Sequence, residues 1–156
     1  MTPPVYRRAQ LDDLQNIVDF QVAMAWETEE VRLDPQTCAA GVRAVFQNSS
    51  LGQYYIAESE SRVVGVTLTT YEWSEWRNGV VWWIQSVYVA PGARRQGIYA
   101  GLYRHVQGLA RGDENVRGIR LYVDRRNRPA QEVYSRLGMN GEHYQVFEWM
   151  KESGES

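Results

Sequence analysis

The chain has few of the residues that form disulfides and hold metal ions. It contains one cysteine, Cys38, and two histidines, His105 and His143, among 156 residues. One cysteine excludes an internal disulfide, and two isolated histidines give no spacing typical of a zinc site, so we expect no metal. A single cysteine is also typical of proteins from a reducing compartment, which predicts a cytoplasmic location.

Long apolar runs are absent as well. No stretch approaches the roughly 20 apolar residues that a membrane-spanning helix needs, and the opening MTPPVYRRAQ lacks the apolar core of a secretory signal. We therefore expect no membrane partner. With 44% apolar residues and no low-complexity linker, the sequence predicts a single domain over residues 1–156, with a frayed tail at about 152–156.

Charge is balanced overall but unevenly distributed. The net charge of −2 argues against broad nucleic-acid binding, and no nucleic-acid partner is expected. Arginines nevertheless crowd the second half of the chain. Such a half could attract a nucleotide phosphate, although a solvated charged face explains the same pattern. The arginines concerned are Arg94, Arg95, Arg104, Arg111, Arg117, Arg120, Arg125, Arg126, Arg128 and Arg136.

Apolar periodicity and turn residues predict the element order β-α-α-β-β-β-α-β-α-β. Asp34 is the expected N-cap of the second helix, with Pro35 at its first position. Turns are expected at Glu60-Ser61 and at Asn78-Gly79. The predicted strands are 5–9, 53–59, 62–73, 80–89, 118–123 and 142–150, and the predicted helices start at Leu11 or cover 33–47, 96–112 and 128–138.

The central strand 80–89 is almost continuously apolar, as expected of a strand covered on both faces. The strand–helix–strand unit 80–123 should form a right-handed parallel crossover, and the hairpins before it should be antiparallel. The sequence therefore predicts the α/β (α+β) class: a mixed, mostly antiparallel central sheet with helices on both faces.

The stretch ARRQGIYAG, residues 93–101, joins that strand to the next helix. The unpaired amides and positive dipole end of a helix start form a natural anion site. Gly97 lacks a side chain where a phosphate could approach the backbone, and Ile98 would anchor the segment in the core. A solvated turn before a helix is the simpler alternative.

Two motifs give the chain a family resemblance. Arg94, Gly97 and Tyr99 follow the pattern Gln/Arg-x-x-Gly-x-Gly/Ala, with Tyr99 in the position usually held by Gly or Ala. The stretch NRPAQEVYSRLGM matches an Asn-x-x-Ala, Tyr, Gly-Phe pattern through Asn127, Ala130, Tyr134 and Gly138, with Met139 in place of Phe. With these motifs in this element order, the chain resembles the GCN5-related N-acetyltransferase (GNAT) superfamily over nearly its whole length.

The resemblance implies acetyl-CoA (coenzyme A) as cofactor and places its binding residues. Amides from Arg95 to Ala100 would hold the pyrophosphate, with Arg94 or Arg95 adding charge, and the strand edge at Val87–Val89 would pair with the pantetheine arm. The ring of Tyr99 would pack on the cofactor or, as we favour, against the sheet. The cofactor-binding set is then Val87, Tyr88, Val89, Arg94, Arg95, Gln96, Gly97, Ile98, Tyr99, Ala100, Asn127, Ala130 and Tyr134.

The resemblance also assigns the proton donor. Tyr134 occupies the position of the general acid, and a phenol is protonated at neutral pH. The amide of Val89 is a candidate donor to the thioester oxygen. The base is open: the central strand offers Gln85 and no acid. Glu27 and Glu72 are the candidates, as direct bases, through water or as counter-charges, and an exposed surface carboxylate explains each equally well.

The acceptor side is expected near the first two helices and the middle strands. The candidate lining is Trp26, Glu27, Trp73, Trp83 and Gln85, although the tryptophans could equally fill core gaps. Trp82 and Trp83 must point to opposite faces of their strand, so only one of them can line the site.

The predicted function is transfer of an acetyl group from acetyl-CoA to a primary amine of a small molecule, by direct attack in a ternary complex. The alternative is a non-catalytic acyl-CoA sensor or interaction module. The uncovered edge of the final strand also predicts a homodimer.

Overall fold

The computed structural model describes residues 2–151, in two compact units that meet in sequence at Leu121 and Tyr122. The elements of the first unit are β1 (Val5–Arg8), a 3-10 turn (Leu11–Asp13), α1 (Leu14–Glu29), α2 (Pro35–Gln47), β2 (Gln53–Ser59), β3 (Arg62–Ser74), β4 (Gly79–Val89), a 3-10 turn (Pro91–Ala93), α3 (Ile98–Arg111) and β5 (Val116–Leu121). The second unit contains α4 (Arg128–Arg136).

The five strands form one sheet in the order β1-β2-β3-β4-β5. The first three pairings are antiparallel, and β4 pairs with β5 in parallel. This confirms the predicted mixed, mostly antiparallel sheet and the parallel crossover through α3.

Helices cover both faces of this sheet, as predicted. On one face α1 and α2 pack on a core of Ile17, Val18, Val42, Tyr54, Ile56, Val66 and Tyr88. On the other face the start of α3 packs on a smaller core of Ala57, Val89, Ala93, Ile98 and Leu102. We call these the α1/α2 face and the α3 face.

Local sequence signals explain several element boundaries. The Asp34 carboxylate accepts the Thr37 N–H at 3.1 Å, which caps α2 as expected. Glu60 and Ser61 adopt positive φ angles of 51° and 64° in the β2–β3 hairpin, as a tight primed turn requires. In the β3–β4 connection Asn78 has a φ of 47°, and β4 begins at Gly79.

Two expectations differ from the structure. The helix predicted from Gln96 begins at Ile98, because Arg95 and Gly97 take left-handed backbone conformations that end the loop two residues later. The strand predicted over 142–150 is absent from the described chain. Alternation alone does not make a strand, since a strand also needs a neighbour for its backbone hydrogen bonds. The predicted tail at 152–156 lies outside the described residues.

None of the helices within residues 2–151 combines the length and apolar character that crossing a bilayer requires.

Candidate functional site: the β4–α3 loop and the α1/α2 face

The loop between β4 and α3 turns sharply before the helix begins. Arg95 has a φ of 66° and Gly97 a φ of 79°, both in the left-handed region. The Gly101 N–H donates to the Gly97 carbonyl at 2.9 Å and closes the first turn of α3. Amides that precede such a bond have no carbonyl partner within the helix, so they are available to an anion. The segment Arg95–Ala100 therefore has the geometry of an anion-binding helix start.

Apolar packing fixes this loop on the α3 face. Ile98 is only 2% exposed and lies in the same cluster as Ala93 and Leu102. Tyr99 packs against that cluster as well. The bulk at the position usually held by Gly or Ala thus lies against protein.

A further glycine of this segment, Gly101, had no role assigned from the sequence. A Cβ built on it would overlap the hydroxyl end of the Tyr6 ring, so the missing side chain lets Tyr6 of β1 pack against α3. A glycine inside a helix, where it costs about 1 kcal/mol against alanine, is the signal that could have revealed this contact.

The edge of β4 changes its pairing partway along. A register shift opposite Leu68 and Thr69 marks a β-bulge at Gln85. The parallel ladder with β5 ends at Ile84–Leu121, whereas pairing with β3 continues to Val89–Gly65. In residues 2–151 no strand pairs with Val87–Val89 on the β5 side. That edge can accept an extended ligand carrying amide groups.

Arg94 is held by protein groups on three sides. Its Nε donates to the Val89 carbonyl at 2.9 Å, and its Nη2 donates to Glu27 Oε2 at 2.8 Å. The guanidinium carbon lies 5.4 Å from the centre of the Tyr88 ring. Tyr88 in turn donates its hydroxyl to Glu27 Oε1 at 3.0 Å. The expected charge contribution of Arg94 to the cofactor therefore competes with contacts to the end of α1 and β4.

This network affects the titration of its members. The hydrogen bond from Arg94 lowers the pKa of Glu27 below its usual value, against a smaller opposing effect of burial. Burial, together with the Glu27 carboxylate, raises the pKa of Tyr88. At neutral pH Glu27 is therefore an ionised carboxylate, and its low pKa makes it a weak proton acceptor.

Glu72 meets a second set of donors on the α1/α2 face. Trp83 Nε1 donates to Glu72 Oε1 at 2.7 Å, and Arg120 Nη1 lies 2.9 Å from Oε1 and 3.2 Å from Oε2. These contacts lower the pKa of Glu72, with the Trp83 hydrogen bond as the largest cause. Gln85 donates to the Thr70 hydroxyl at 2.8 Å on the same face. Arg120 and Thr70 were not predicted, although strand alternation places both beside Trp83.

The two remaining tryptophans predicted to line the acceptor site do not lie beside Trp83. Trp73 pairs with Val80 and shares the side of β3 that carries Tyr71, whose ring contacts Trp82. Trp73 therefore lies on the α3 face, away from Trp83 and Glu72, so this register separates two tryptophans of the candidate acceptor lining. Trp26, on α1, is 49% exposed and lies 4.9 Å from the guanidinium of Arg32.

The second motif forms a capped helix in the second unit. Asn127 accepts the Ala130 N–H at 3.2 Å, which explains the Asn-x-x-Ala spacing as an N-cap. At the other end, Gly138 has a φ of 90°, and the Met139 N–H donates to the Tyr134 carbonyl at 3.0 Å, a Schellman motif. Tyr134 itself is 8% exposed.

The α3 face carries a wide groove of about 790 Å³ at the C-terminal end of α3. Tyr55, Tyr71 and Trp82 form its aromatic wall, and Asp113 and Glu114 lie at the turn beyond α3. None of the predicted site residues lines this groove. The helix-start geometry, and not this groove, identifies the candidate site.

Comparison with protein families decides what this geometry belongs to. The model of the Acetyltransferase (GNAT) family matches residues 11–139, most of the chain. The chain belongs to the GNAT acetyltransferase family. The resemblance drawn from the two motifs is confirmed, and the protein is an N-acetyltransferase.

Solved structures agree with this family. A possible acetyltransferase from Clostridium difficile 630 is 37% identical, with a TM-score of 0.89 and coverage of 96% of this chain and 99% of that one. An aminoglycoside N-acetyltransferase in complex with CoA has 15% identity, a TM-score of 0.78 and 95% coverage of both chains. A ribosomal-protein-alanine N-acetyltransferase from Brucella melitensis biovar Abortus 2308 has 11% identity, a TM-score of 0.77 and coverage of 95% and 99%. The last two show a shared fold. No curated protein sequence matched the chain significantly.

Proposed function

We propose that this GNAT acetyltransferase transfers the acetyl group of acetyl-CoA to a primary amine of a small molecule, by direct attack in a ternary complex. The observation that carries the cofactor assignment is the helix start at Arg95–Ala100, where two left-handed residues expose backbone amides toward an anion. The edge of β4 beyond Ile84 supports the same assignment, because it can pair with the amides of a pantetheine arm.

The proposed chemistry divides between the chain and its substrates. Acetyl-CoA supplies an activated acyl group as a thioester. A carbon–nitrogen bond to the amine forms, the carbon–sulfur bond breaks, the amine loses a proton and the thiolate gains one. We assign the amide of Val89 as donor to the thioester oxygen and Tyr134 as proton donor to the thiolate, because a phenol is protonated at neutral pH. Asn127 and Ala130 contribute by capping the helix that carries Tyr134.

The two glutamates fit counter-charge roles better than base roles. The hydrogen bond from Arg94 lowers the pKa of Glu27, and those from Trp83 and then Arg120 lower the pKa of Glu72. Carboxylates with lowered pKa values take a proton from an amine poorly. Trp83 and Gln85 lie on the same face as Glu72. We propose that the acceptor amine meets this group, and that it enters as the free base or loses its proton to water.

Each candidate glutamate on the acceptor side is paired with an arginine, Glu27 with Arg94 and Glu72 with Arg120. The charges around the acceptor side are therefore nearly balanced. This supports a small amine with an apolar body over a polycation. The single cysteine of the chain supports a reducing compartment such as the cytoplasm as the place of action.

The proposed function also includes a homodimer formed through residues 142–150. Five large apolar side chains in this segment are exposed, Phe147 by 92% and Trp149 by 86%, and the backbone forms no strand. A second copy of the chain offers the same segment, so pairing the two would bury both apolar sets and complete their backbone hydrogen bonds.

The first experiment measures acetyl-CoA-dependent thiol release across a panel of amines, with Tyr134→Phe beside the wild type. Loss of a general acid should lower the rate at least about tenfold with an unchanged KM for acetyl-CoA. Tyr71→Phe, 42% exposed and in the groove that no predicted site residue lines, is the control and should keep the wild-type rate. An unchanged rate in Tyr134→Phe would remove the acid assignment and leave the enzyme. If the protein is folded and binds acetyl-CoA but no amine of the panel supports thiol release, that result would count against a small-amine acceptor.

A further inference from the structure

We propose that Glu27 and Arg94 are positioning residues: their ion pair ties the last turn of α1 to the end of β4 and holds the Arg95–Ala100 amides ready for CoA. Arg94 then acts on the cofactor through the backbone, without pairing with the pyrophosphate. This inference rests on the proposed function, because it assumes that CoA binds at the α3 helix start.

The contacts of Arg94 support this role. One arm of its guanidinium bonds the Val89 carbonyl and another bonds Glu27 across 67 residues of sequence. The first contact fixes the residue that ends β4, and the second reaches the last turn of α1, which ends at Glu29. The Arg94 side chain thus joins α1 and β4 to the loop before α3, and it restricts the backbone of that loop.

The backbone explains why such a restriction is useful. Arg95 follows Arg94 directly and holds a φ of 66°, a left-handed conformation that is unfavourable for a residue with a Cβ. Strained residues of this kind persist only when surrounding contacts enforce them. Arg94 is the nearest such contact on the N-terminal side, and Ile98 anchors the loop on the other.

The charge balance points in the same direction. The half-exposed side chain of Arg94 already contacts the Glu27 carboxylate at 2.8 Å, the Val89 carbonyl at 2.9 Å and the face of the Tyr88 ring. An arginine reserved for a pyrophosphate would gain nothing from a neighbouring carboxylate, because Glu27 repels the same anion. A substitution of Glu27 therefore distinguishes the two possible roles of Arg94, which are to position the loop or to pair with the pyrophosphate.

The two roles predict opposite results for Glu27→Gln. If the pair positions the loop, losing the carboxylate loosens it and weakens binding of CoA. If Arg94 contacts the pyrophosphate, the same substitution frees the guanidinium and removes a repelling charge, so CoA binds more tightly. The affinity of wild type and variants for CoA is measured by titration calorimetry without an acceptor.

We expect Glu27→Gln to raise the Kd for CoA about three- to tenfold. Arg94→Lys should weaken binding as much as Arg94→Gln, because an ammonium cannot hold the Val89 carbonyl and Glu27 together. The double variant Glu27→Gln/Arg94→Gln should bind CoA no more weakly than the weaker-binding single variant, since both changes break the same interaction. None of these variants should change the slope of log Kd against log salt concentration.

Asp19→Asn is the matched control. It removes the same charge from an exposed position of the same helix, where Asp19 contacts only Gln15 at 2.9 Å in the hydrogen bonds described, and should leave the Kd unchanged. Tighter binding or an unchanged Kd in Glu27→Gln would overturn the inference, as would retention of affinity by Arg94→Lys with a reduced salt slope in Arg94→Gln. A wild-type protein that does not bind CoA would instead overturn the proposed function, and this inference with it.

Discussion

At the scale of single residues, the charged groups of the candidate site are mostly engaged with each other. Glu27 holds Arg94 at 2.8 Å and Glu72 holds Arg120 at 2.9 Å. Such pairing keeps the carboxylates ionised at neutral pH and orients the arginines. Besides the guanidinium of Arg95, the groups left to meet a ligand anion are backbone amides, whose direction depends on local φ angles.

Gly97 provides a direct test of that dependence. Its φ of 79° is unfavourable for any residue with a Cβ, while no atom lies within 4 Å of the position a Cβ would take. Gly97→Ala should therefore lower the free energy of unfolding by roughly 1–2 kcal/mol through strain alone. It should also weaken CoA binding, because relief of the strain turns the amides away from the anion. Thermal unfolding and CoA titration measure the two effects.

Gly108→Ala is the matched control for this prediction. Gly108 lies inside α3 with equally open space around it, but without a positive φ. Alanine there should raise the free energy of unfolding by about 0.5–1 kcal/mol and leave CoA binding unchanged. A destabilised Gly108→Ala, or a Gly97→Ala with wild-type stability, would contradict the argument from backbone conformation.

At the scale of elements, a partly buried charged cluster attaches the beginning of the chain to the sheet. Arg7 on β1 contacts Asp13 at 2.9 Å and Glu58 on β2 at 2.9 Å. Asp13 also accepts the Gln10 N–H at 2.7 Å and so stabilises the turn that leads into α1. This cluster fixes the start of α1, the helix that carries Glu27.

Asp13 should make the stability of the protein depend on pH. Burial raises the pKa of Asp13, but hydrogen bonds from Arg7 and from the Gln10 N–H outweigh it and leave that pKa below its usual value. A carboxyl whose pKa is lower in the folded state stabilises above the unfolded value of about 3.9, and this stabilisation is lost as pH falls through the folded value.

Asp13→Asn should consequently lower the free energy of unfolding by about 1–3 kcal/mol at pH 7. The difference from wild type should shrink as pH falls from about 5 toward 3, because the wild type loses its stabilisation there. Thermal unfolding across this range measures the effect. A difference that stays constant or grows on acidification would contradict the assignment of the shift to Asp13.

At the scale of the whole molecule, the exposed segment 142–150 is the feature that an isolated chain leaves unexplained. Its apolar side chains, Tyr144, Val146, Phe147, Trp149 and Met150, are more than half exposed. Monomeric proteins rarely expose so many large apolar groups in one short stretch. The proposed homodimer accounts for them.

Sedimentation velocity at micromolar concentration tests the homodimer. We expect a species of twice the 18.0 kDa chain mass, and Phe147→Ser/Trp149→Ser should return it to the monomer by removing the largest buried area. Trp76→Ser, a 92% exposed tryptophan on the β3–β4 connection, is the control and should stay dimeric. A wild type that sediments only as a monomer would refute the dimer.

The sequence by itself determined the family, the order of the elements up to α4 and the loop that holds the helix start. Each of these depends on local signals: Asp34 caps α2, Gly97 permits a positive φ, and Asn127 with Gly138 delimits α4. Such signals act within a few residues, so they can be read along the chain. The alternation over 142–150 failed for the same reason, because pairing with another strand is not local.

Only the tertiary structure decided which side chains meet. The contacts of Glu27 with Arg94 and of Glu72 with Arg120 join residues 67 and 48 positions apart. The register between β3 and β4 set which of Trp82 and Trp83 shares a face with Glu72. Register and helix docking minimise the free energy of the whole packed sheet, and one shifted residue turns a side chain to the opposite face.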